Sequence, residues 1–297
     1  MWDELQFAFA LTVSGLSIGL MYSLIALGFV LVYKATDAIN FAQGEFVMLA
    51  GFVAAVALAA KMPVLLAVGA AVALMVAFSF ALERVVLRPL IGRPIIAVIM
   101  ATIGLGAMLR GLPPITVGGE TRAVSLDIGD MPIGFGLVSL PPIQVLGVVV
   151  TLAFLGLFTW FFLKSRMGVA MRAVADNQQV AMAMGINVER YFALAWAMAG
   201  TVSALGGVIW GGMLGVDVHL ALVGLKVFPV VILGGLDSVL GAVIGGLIVG
   251  VVESLAAGYL DPYVGGGTKD FAPYVLMIIA LMFKPYGIFG THRIERV

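Results

Sequence analysis

Polar side chains that can bind or move a solute are concentrated at a few points of an otherwise apolar chain. The first cluster lies in the segment KATDAINFAQGEF, where Asn40, Gln43, Gly44 and Glu45 fall within six residues. Asn40 can cap a following helix, with Gln43 three positions later completing a capping-box spacing. Alternatively, the free N–H groups of this helix start can line a permeation route and meet a polar solute. The pattern leaves both interpretations open.

The second cluster lies in the segment KSRMGVAMRAVADNQQVAMAMGINVERY, which begins at Lys164. Asp176 with Gln179 three positions later predicts a helix N-cap, and Gly185 is typical of the residue that ends a helix. We therefore expect a short helix over 177–184. One small apolar face of that helix carries Val180, Ala181 and Met184. Such a helix suits the docking of another protein, although a plain connector would have the same features.

Two further patterns concern helix ends and lone charges. In the segment VILGGLDSVLGAVIGGL, Asp237 or Ser238 is expected to cap a second helix after a glycine turn.

Arg110 and Glu253 lie inside apolar runs but near the ends of those runs, where snorkelling to the membrane boundary is a sufficient explanation for each charge. An ion-driven carrier generally needs an acidic group near the middle of the membrane, so this distribution disfavours that class.

The whole composition is that of an integral membrane protein. The chain has 297 residues, of which 62% are hydrophobic and 11% are charged, whereas soluble domains are about half apolar and about a quarter charged. Sixteen basic residues balance sixteen acidic ones, so no basic excess supports binding to nucleic acid. The chain has no Cys and two His, which argues against a thiolate metal site. We expect no catalytic residue and no metal or cofactor in this chain.

Nucleotide hydrolysis and intramembrane catalysis are disfavoured by motifs that the sequence lacks. No Gly-Lys dipeptide occurs, so the chain lacks the GxxxxGK[ST] phosphate loop. No apolar segment carries a pair of carboxylates of the kind that acid–base catalysis uses. A transport function is therefore favoured over an enzymatic one.

The apolar runs are long and continuous, which favours helices over the alternating strands of a barrel. They predict an all-α polytopic membrane protein, a single transmembrane domain over 1–297, with eight or nine transmembrane helices. The predicted spans are 7–33, 46–60, 63–82, 94–112, 141–163, 191–213, 218–235, 239–260 and 271–284. The segment 217–236 contains Asp217, His219 and Lys226, and is either a span or a re-entrant segment.

Basic residues are distributed unevenly between alternate loops, which predicts the orientation. With the N-terminus outside, three basic residues lie in outer loops, and they are Lys61, Arg122 and Lys269. Eleven lie in inner loops, and they are Lys34, Arg84, Arg88, Arg93, Lys164, Arg166, Arg172, Arg190, Lys284, Arg293 and Arg296. We therefore expect an N-out, C-in topology, which requires an odd number of crossings and favours nine. The cluster around Asp176 then faces the cytoplasm.

Glycines spaced by four residues recur within the spans. The pairs include Gly15 with Gly19, Gly241 with Gly245, and Gly246 with Gly250. This spacing places small residues on one helix face and lets backbones approach closely. Tight packing and sliding of helices during a transport cycle are both compatible with the pattern.

Four segments of the chain resemble one family of membrane proteins. They are YSLIALGFVLVYKATD (Tyr22–Asp37), INFAQGEF (Ile39–Phe46), MRAVADNQQVAMAMGIN (Met171–Asn187) and LGGLDSVLGAVIGG (Leu233–Gly246). Together they resemble the permease subunits of branched-chain amino acid ABC importers, and specifically the shorter, H-type permease. Asp237 departs from that pattern, in which glycine is commoner, and the segment Leu112–Pro114 is richer in proline. The permeases of urea or amide importers are similar and remain an alternative.

The resemblance implies specific partners and site residues. Ala181 and Gly185 match the A-x3-G of the permease loop that docks an ATPase, and Asn40, Gln43, Gly44 and Glu45 match a motif that serves as a gate or pathway. The implied partners are a second permease subunit, two ATPase subunits that bind ATP and Mg²⁺, and a periplasmic substrate-binding protein. The implied location is the bacterial inner membrane, among lipids. A self-sufficient ion-coupled carrier remains the alternative from another class.

Overall fold

A computed structural model of the protein describes residues 2–90, 93–129, 131–136 and 138–291. Within these described residues, six helices are long and apolar enough to cross a membrane: Glu4–Thr36, Val64–Leu90, Ile95–Thr116, Pro142–Lys164, Val188–Leu214 and Val239–Tyr259. Two shorter apolar stretches are Gln43–Ala59 and Val218–Gly234. The assignment as a multi-pass, helical membrane protein is confirmed at this level, while the count of eight or nine crossings and the orientation stay predictions.

Most of the regular elements follow one another closely, while a longer connection, 117–132, lies between α4 and β1. The helices are α1 (Trp2–Thr36), α2 (Gln43–Ala59), α3 (Val64–Leu82), α4 (Ile95–Thr116), α5 (Pro142–Lys164), α6 (Arg166–Asp176), α7 (Gln178–Ala183), α8 (Val188–Leu214), α9 (Leu222–Gly234), α10 (Val239–Tyr259), α11 (Asp261–Val264) and α12 (Thr268–Phe283). A π-helical turn, Glu83–Leu87, continues α3, and a 3-10 turn, Val218–Ala221, precedes α9.

One feature of the fold differs from the all-α expectation. Strands β1 (Ile133–Phe135) and β2 (Val138–Leu140) form an antiparallel hairpin, in which Gly134 lies opposite Ser139. The hairpin lies between α4 and α5, and each of its strands has three residues, which is too short for periodicity to predict a strand.

The chain divides into two compact units. The first comprises the described residues of 1–30, 127–151 and 226–297, and its glycines pack helix backbones together. A Cβ on Gly19 would lie 2.4 Å from the carbonyl oxygen of Gly246, and one on Gly15 would lie 2.7 Å from that of Gly250. The packing interpretation of the four-residue glycine spacing is therefore confirmed for α1 and α10.

The start of α10 in the first unit follows the predicted capping. The Ser238 Oγ accepts a hydrogen bond from the N–H of Gly241 at 2.9 Å. The neighbouring Asp237 carboxylate instead accepts from the N–H of Thr291 at 3.2 Å. Ser238 is thus the cap, and Asp237 joins the end of the described chain to this turn.

The second unit comprises residues 31–126 and 152–225 and is organised around α8. Helices α2 and α3 pack on α8 through glycines. A Cβ on Gly207 would lie 2.4 Å from the carbonyl oxygen of Val47, and one on Gly200 would lie 2.6 Å from that of Met75. The large side chain of Trp196 is buried at the same interface. This close packing fixes the position of α2, whose start carries the first polar cluster.

Candidate functional site

The first polar cluster forms a buried hydrogen-bond network within the second unit. Asn40 and Gln43 are both 0% exposed. Asn40 Nδ2 donates to Gln43 Oε1 at 3.1 Å, and Gln43 Nε2 donates to Ser203 Oγ at 2.9 Å. Helix α2 begins at Gln43 after an N-cap residue, Ala42, that makes no side-chain capping bond. The interpretation of Asn40 as the cap is therefore wrong, because its side chain is bonded within the loop and to Gln43.

This network lies at the level of the middle of the neighbouring helices. The N–H of Phe41 donates to Thr102 Oγ1 at 3.3 Å, and Thr102 is the eighth residue of α4. Ser203 is the sixteenth of 27 residues in α8. Gly44 lets the start of α2 lie against the 3-10 turn, since a Cβ there would be 2.2 Å from the carbonyl oxygen of Ala221. Polar groups at such depth in apolar helices usually face a cavity or a partner.

Glu45, the last residue of the cluster, pairs with a basic residue of α4. Its carboxylate accepts a hydrogen bond from Arg110 Nη2, and the two side chains are 6% and 48% exposed. A buried carboxylate is stable only when a countercharge or several donors compensate it. The snorkelling interpretation of Arg110 is therefore wrong: the guanidinium is turned toward Glu45.

The second polar cluster forms the predicted short helix, which is one residue shorter at each end and covers Gln178–Ala183. Asn177 caps α7, because its side-chain oxygen accepts from the N–H of Val180 at 3.0 Å. Asp176 is instead the last residue of α6, and both Asp176 and Gln179 are exposed. Gly185 has a φ of 81°, so the predicted left-handed residue after the helix is confirmed.

The apolar side chains of α7 do not share one face. Ala181 is 3% exposed and packs in an apolar cluster with Ala35, Val174 and Phe192. Val180 and Met184 are 57% and 78% exposed. The placement of Ala181 with them on an exposed face is therefore wrong, because Ala181 is the residue that anchors α7. Gln178 Nε2 strengthens that anchor by donating to the carbonyl oxygen of Ala35 at 3.2 Å.

An ion-pair network holds the corner beside α7. Arg88 donates to Glu83 through Nε at 3.2 Å and Nη2 at 3.0 Å, and to Glu189 through Nη1 at 2.9 Å. Glu83 is 1% exposed, so this bidentate pairing satisfies a buried carboxylate. A cavity of about 90 Å³ adjoins the pair and reaches Trp196 and Gln178. The network joins the end of α3 to the start of α8, next to the first residue of α7.

A second charged cluster lies in the first unit. Lys226 Nζ of α9 lies 2.7 Å from Asp270 Oδ1 of α12 and 3.4 Å from Glu253 Oε1 of α10. The Glu253 side chain is 9% exposed, so it is paired inside the protein and does not snorkel. Sequence reasoning missed this cluster, although Lys226 and Glu253 are each a lone charge within an apolar run, which is itself a signal of a partner.

The comparisons with known proteins agree over nearly the whole chain. Residues 11–282 match the family model described as branched-chain amino acid transport system, permease component. The chain is 34% identical to the high-affinity branched-chain amino acid transport system permease protein LivH of Escherichia coli K12, covering 96% of each chain. It is 31% identical to the corresponding permease BraD of Pseudomonas aeruginosa, again over 96% of each.

A solved structure supports the fold independently. The complex of PsaBC from Streptococcus pneumoniae with a Fab contains a chain that matches with a TM-score of 0.50 at 14% identity, covering 95% of this chain and 94% of that one. At this identity the likeness concerns the fold alone. The match over 11–282, together with 34% identity across 96% of a curated relative, shows that the chain belongs to the family of branched-chain amino acid transport permease components.

Proposed function

We propose that this chain is the membrane-spanning permease subunit of an ATP-driven ABC importer for branched-chain or other hydrophobic amino acids. The family is a permease component, so the chain is a transport subunit and not an enzyme. The observation that carries the proposal is α7, a capped helix outside the long apolar helices that exposes Val180 and Met184. An exposed apolar pair on an anchored helix suits a cleft on a partner protein.

The proposed assembly contains the partners that the resemblance implies. A second permease subunit completes the membrane part, two ATPase subunits bind ATP and Mg²⁺, and a periplasmic binding protein delivers the solute. In the bacterial inner membrane with N-out, C-in topology, α7 faces the ATPase subunits. A reporter that is active only in the cytoplasm, fused after Val297, is expected to be active; an inactive reporter would contradict this orientation.

The proposed route passes the buried network at the start of α2. Asn40, Gln43, Gly44 and Glu45 are proposed to form the gate or to line the route, because the network lies at the middle of α4 and α8. Replacing Gln43 with Ala is expected to lower uptake by the assembled importer while expression and assembly are retained. A loss of thermal stability that parallels the loss of uptake would instead support a purely structural role.

A self-sufficient ion-coupled carrier is the second candidate, and the cluster of Lys226, Glu253 and Asp270 is the observation that favours it. Charged groups inside a membrane domain serve ion-coupled carriers as binding or relay sites. Lys226 lies 2.7 Å from Asp270 and 3.4 Å from Glu253, so its charge offsets the charge of these acids. A cation site instead needs acidic groups that are free to bind the ion. The ABC importer therefore remains the better-supported function.

Reconstitution into liposomes distinguishes the two candidates. The chain is co-expressed with a second permease, ATPase subunits and a binding protein of the branched-chain amino acid type, and uptake of labelled leucine is measured with and without ATP in the compartment that contacts the ATPases. We expect uptake only with ATP, ATPase and binding protein together. Uptake by the purified chain alone, driven by a proton or sodium gradient, would establish the carrier and refute the importer.

A further inference from the structure

Arg110 is a charged residue of α4 whose side chain the other described residues leave about half uncovered. It lies within the apolar helix Ile95–Thr116, and its side chain is 48% exposed. Among the described residues, Glu45 is the one hydrogen-bond partner of its guanidinium. A guanidinium carries several N–H donors in a planar fork, so donors beyond the one used for Glu45 remain to bind another group.

The side chain of Arg110 points toward the middle of α4 and away from the nearer helix end. The carboxylate that it contacts lies beside Gly106, one turn earlier, where a Cβ would be 3.2 Å from Glu45 Oε2. Side chains on helices lean toward the preceding turn, which agrees with this direction. Helix α4 ends at Thr116, about 9 Å further along the axis. The guanidinium is therefore held at depth by Glu45.

A half-exposed guanidinium at this depth is not stable against lipid. An Arg side chain near the centre of a membrane helix is costly when it faces lipid. Such groups face a water-filled route or a polar partner. Two turns earlier on the same face, Ile103 is 45% exposed. The uncovered face thus combines a cationic head with an apolar surface.

We propose that Arg110 binds the carboxylate of the transported solute as it passes α2 and α4, and that Glu45 is the positioning residue that holds the guanidinium. The inference rests on the proposed function and deepens it. Arg binds carboxylates in a bidentate, charge-assisted geometry, while Ile103 provides contact for an apolar side chain. The site therefore favours a hydrophobic amino acid over a neutral amide such as urea.

Loss of Arg110 alone is an insufficient test, because it leaves Glu45 buried without its countercharge. The variants Arg110→Gln, Arg110→Lys and the double variant Glu45→Gln/Arg110→Gln are therefore compared in the reconstituted importer. Labelled leucine is the probe, and uptake and thermal stability are both measured. Arg122→Gln is the matched control, since it removes an arginine outside the long apolar helices.

The proposal predicts a separation between stability and transport. Arg110→Gln lowers leucine uptake at least tenfold, and Arg110→Lys retains more uptake because it keeps the charge. The double variant recovers stability, since no charge is left unpaired, but its uptake stays at least tenfold low. Arg122→Gln stays within twofold of the parent. Recovery of uptake in the double variant would overturn the proposal, because the pair would then be structural only.

Comparison of the unmodified importer with the double variant distinguishes a failure of this proposal from a failure of the proposed function. If the unmodified importer shows no ATP-dependent uptake of leucine, the proposed function fails, and the inference falls with it. If the unmodified importer takes up leucine and the double variant does so equally well, only the role of Arg110 is refuted.

Discussion

Truncation of two exposed apolar side chains, Val180 in α7 and Met184 at its C-cap, tests the docking of the ATPase directly. Val180 and Met184 are 57% and 78% exposed, whereas Ala181 between them is 3% exposed. The double variant Val180→Ala/Met184→Ala removes exposed apolar surface, which contributes little to the stability of the isolated permease. We expect the thermal stability of the isolated permease to change by no more than about 0.5 kcal/mol. The affinity for the ATPase is expected to fall.

The size of that fall follows from the exposed area. Full burial of a Val or Met side chain contributes about 1.5–3 kcal/mol. Scaled by the exposed fractions of 57% and 78%, covering Val180 contributes about 0.9–1.7 kcal/mol and covering Met184 about 1.2–2.3 kcal/mol. If both are fully covered, their joint loss is about 2–4 kcal/mol, which weakens binding about thirty- to several hundred-fold.

The assay titrates the ATPase subunit against the permease in proteoliposomes and records substrate-stimulated ATP hydrolysis. The concentration for half-maximal coupled hydrolysis is expected to rise in the double variant. Met182→Ala is the matched control, because Met182 is 56% exposed but lies two positions from both Val180 and Met184, so helical periodicity places it on a different side of the helix. Unchanged titration curves in the double variant, or an equal shift in Met182→Ala, would refute docking through this face.

Four further substitutions test the packing and charge of the two units, each by thermal unfolding of the purified permease. Lys226→Met is expected to destabilise by about 3 kcal/mol, since it leaves Glu253 buried without a countercharge; adding Glu253→Gln should recover most of the loss, and no recovery would show that Lys226 acts through packing alone. Gly207→Ala is expected to destabilise by about 1–3 kcal/mol because its Cβ would meet backbone. Gly111→Ala, with open space at its Cβ, should be neutral or stabilising, and equal effects of the two alanines would contradict the packing.

Local patterns predicted local structure well. The cap at Ser238 and the left-handed Gly185 each depend on residues within a few positions, so the sequence contains the whole determinant. The cap of α7 was predicted one residue early, at Asp176, because Asp and Asn are about equally good caps and stand next to each other there. The backbone that separates α6 from α7 decides between them, and it selects Asn177.

Contacts between distant segments were beyond the reach of sequence patterns. Arg110 and Glu45 are 65 positions apart, and periodicity within one helix does not reveal which residue of another helix faces it. Ala181 shows the same limit, because a helix of six residues is too short for its apolar period to define an inward side. The burial of Ala181 depends on Phe192, which belongs to the following helix, α8.

The short path between α7 and the start of α2 gives the proposed importer a physical means of coupling. Gln178, the first residue of α7, bonds to the carbonyl oxygen of Ala35 in the last turn of α1. The chain then runs through the loop to Asn40, whose side chain bonds to Gln43. A displacement of α7 by a bound ATPase therefore acts on the loop that carries the buried network, without passing through a long series of contacts. The proposed gate and the proposed docking helix are joined by one hydrogen bond and a few residues of backbone.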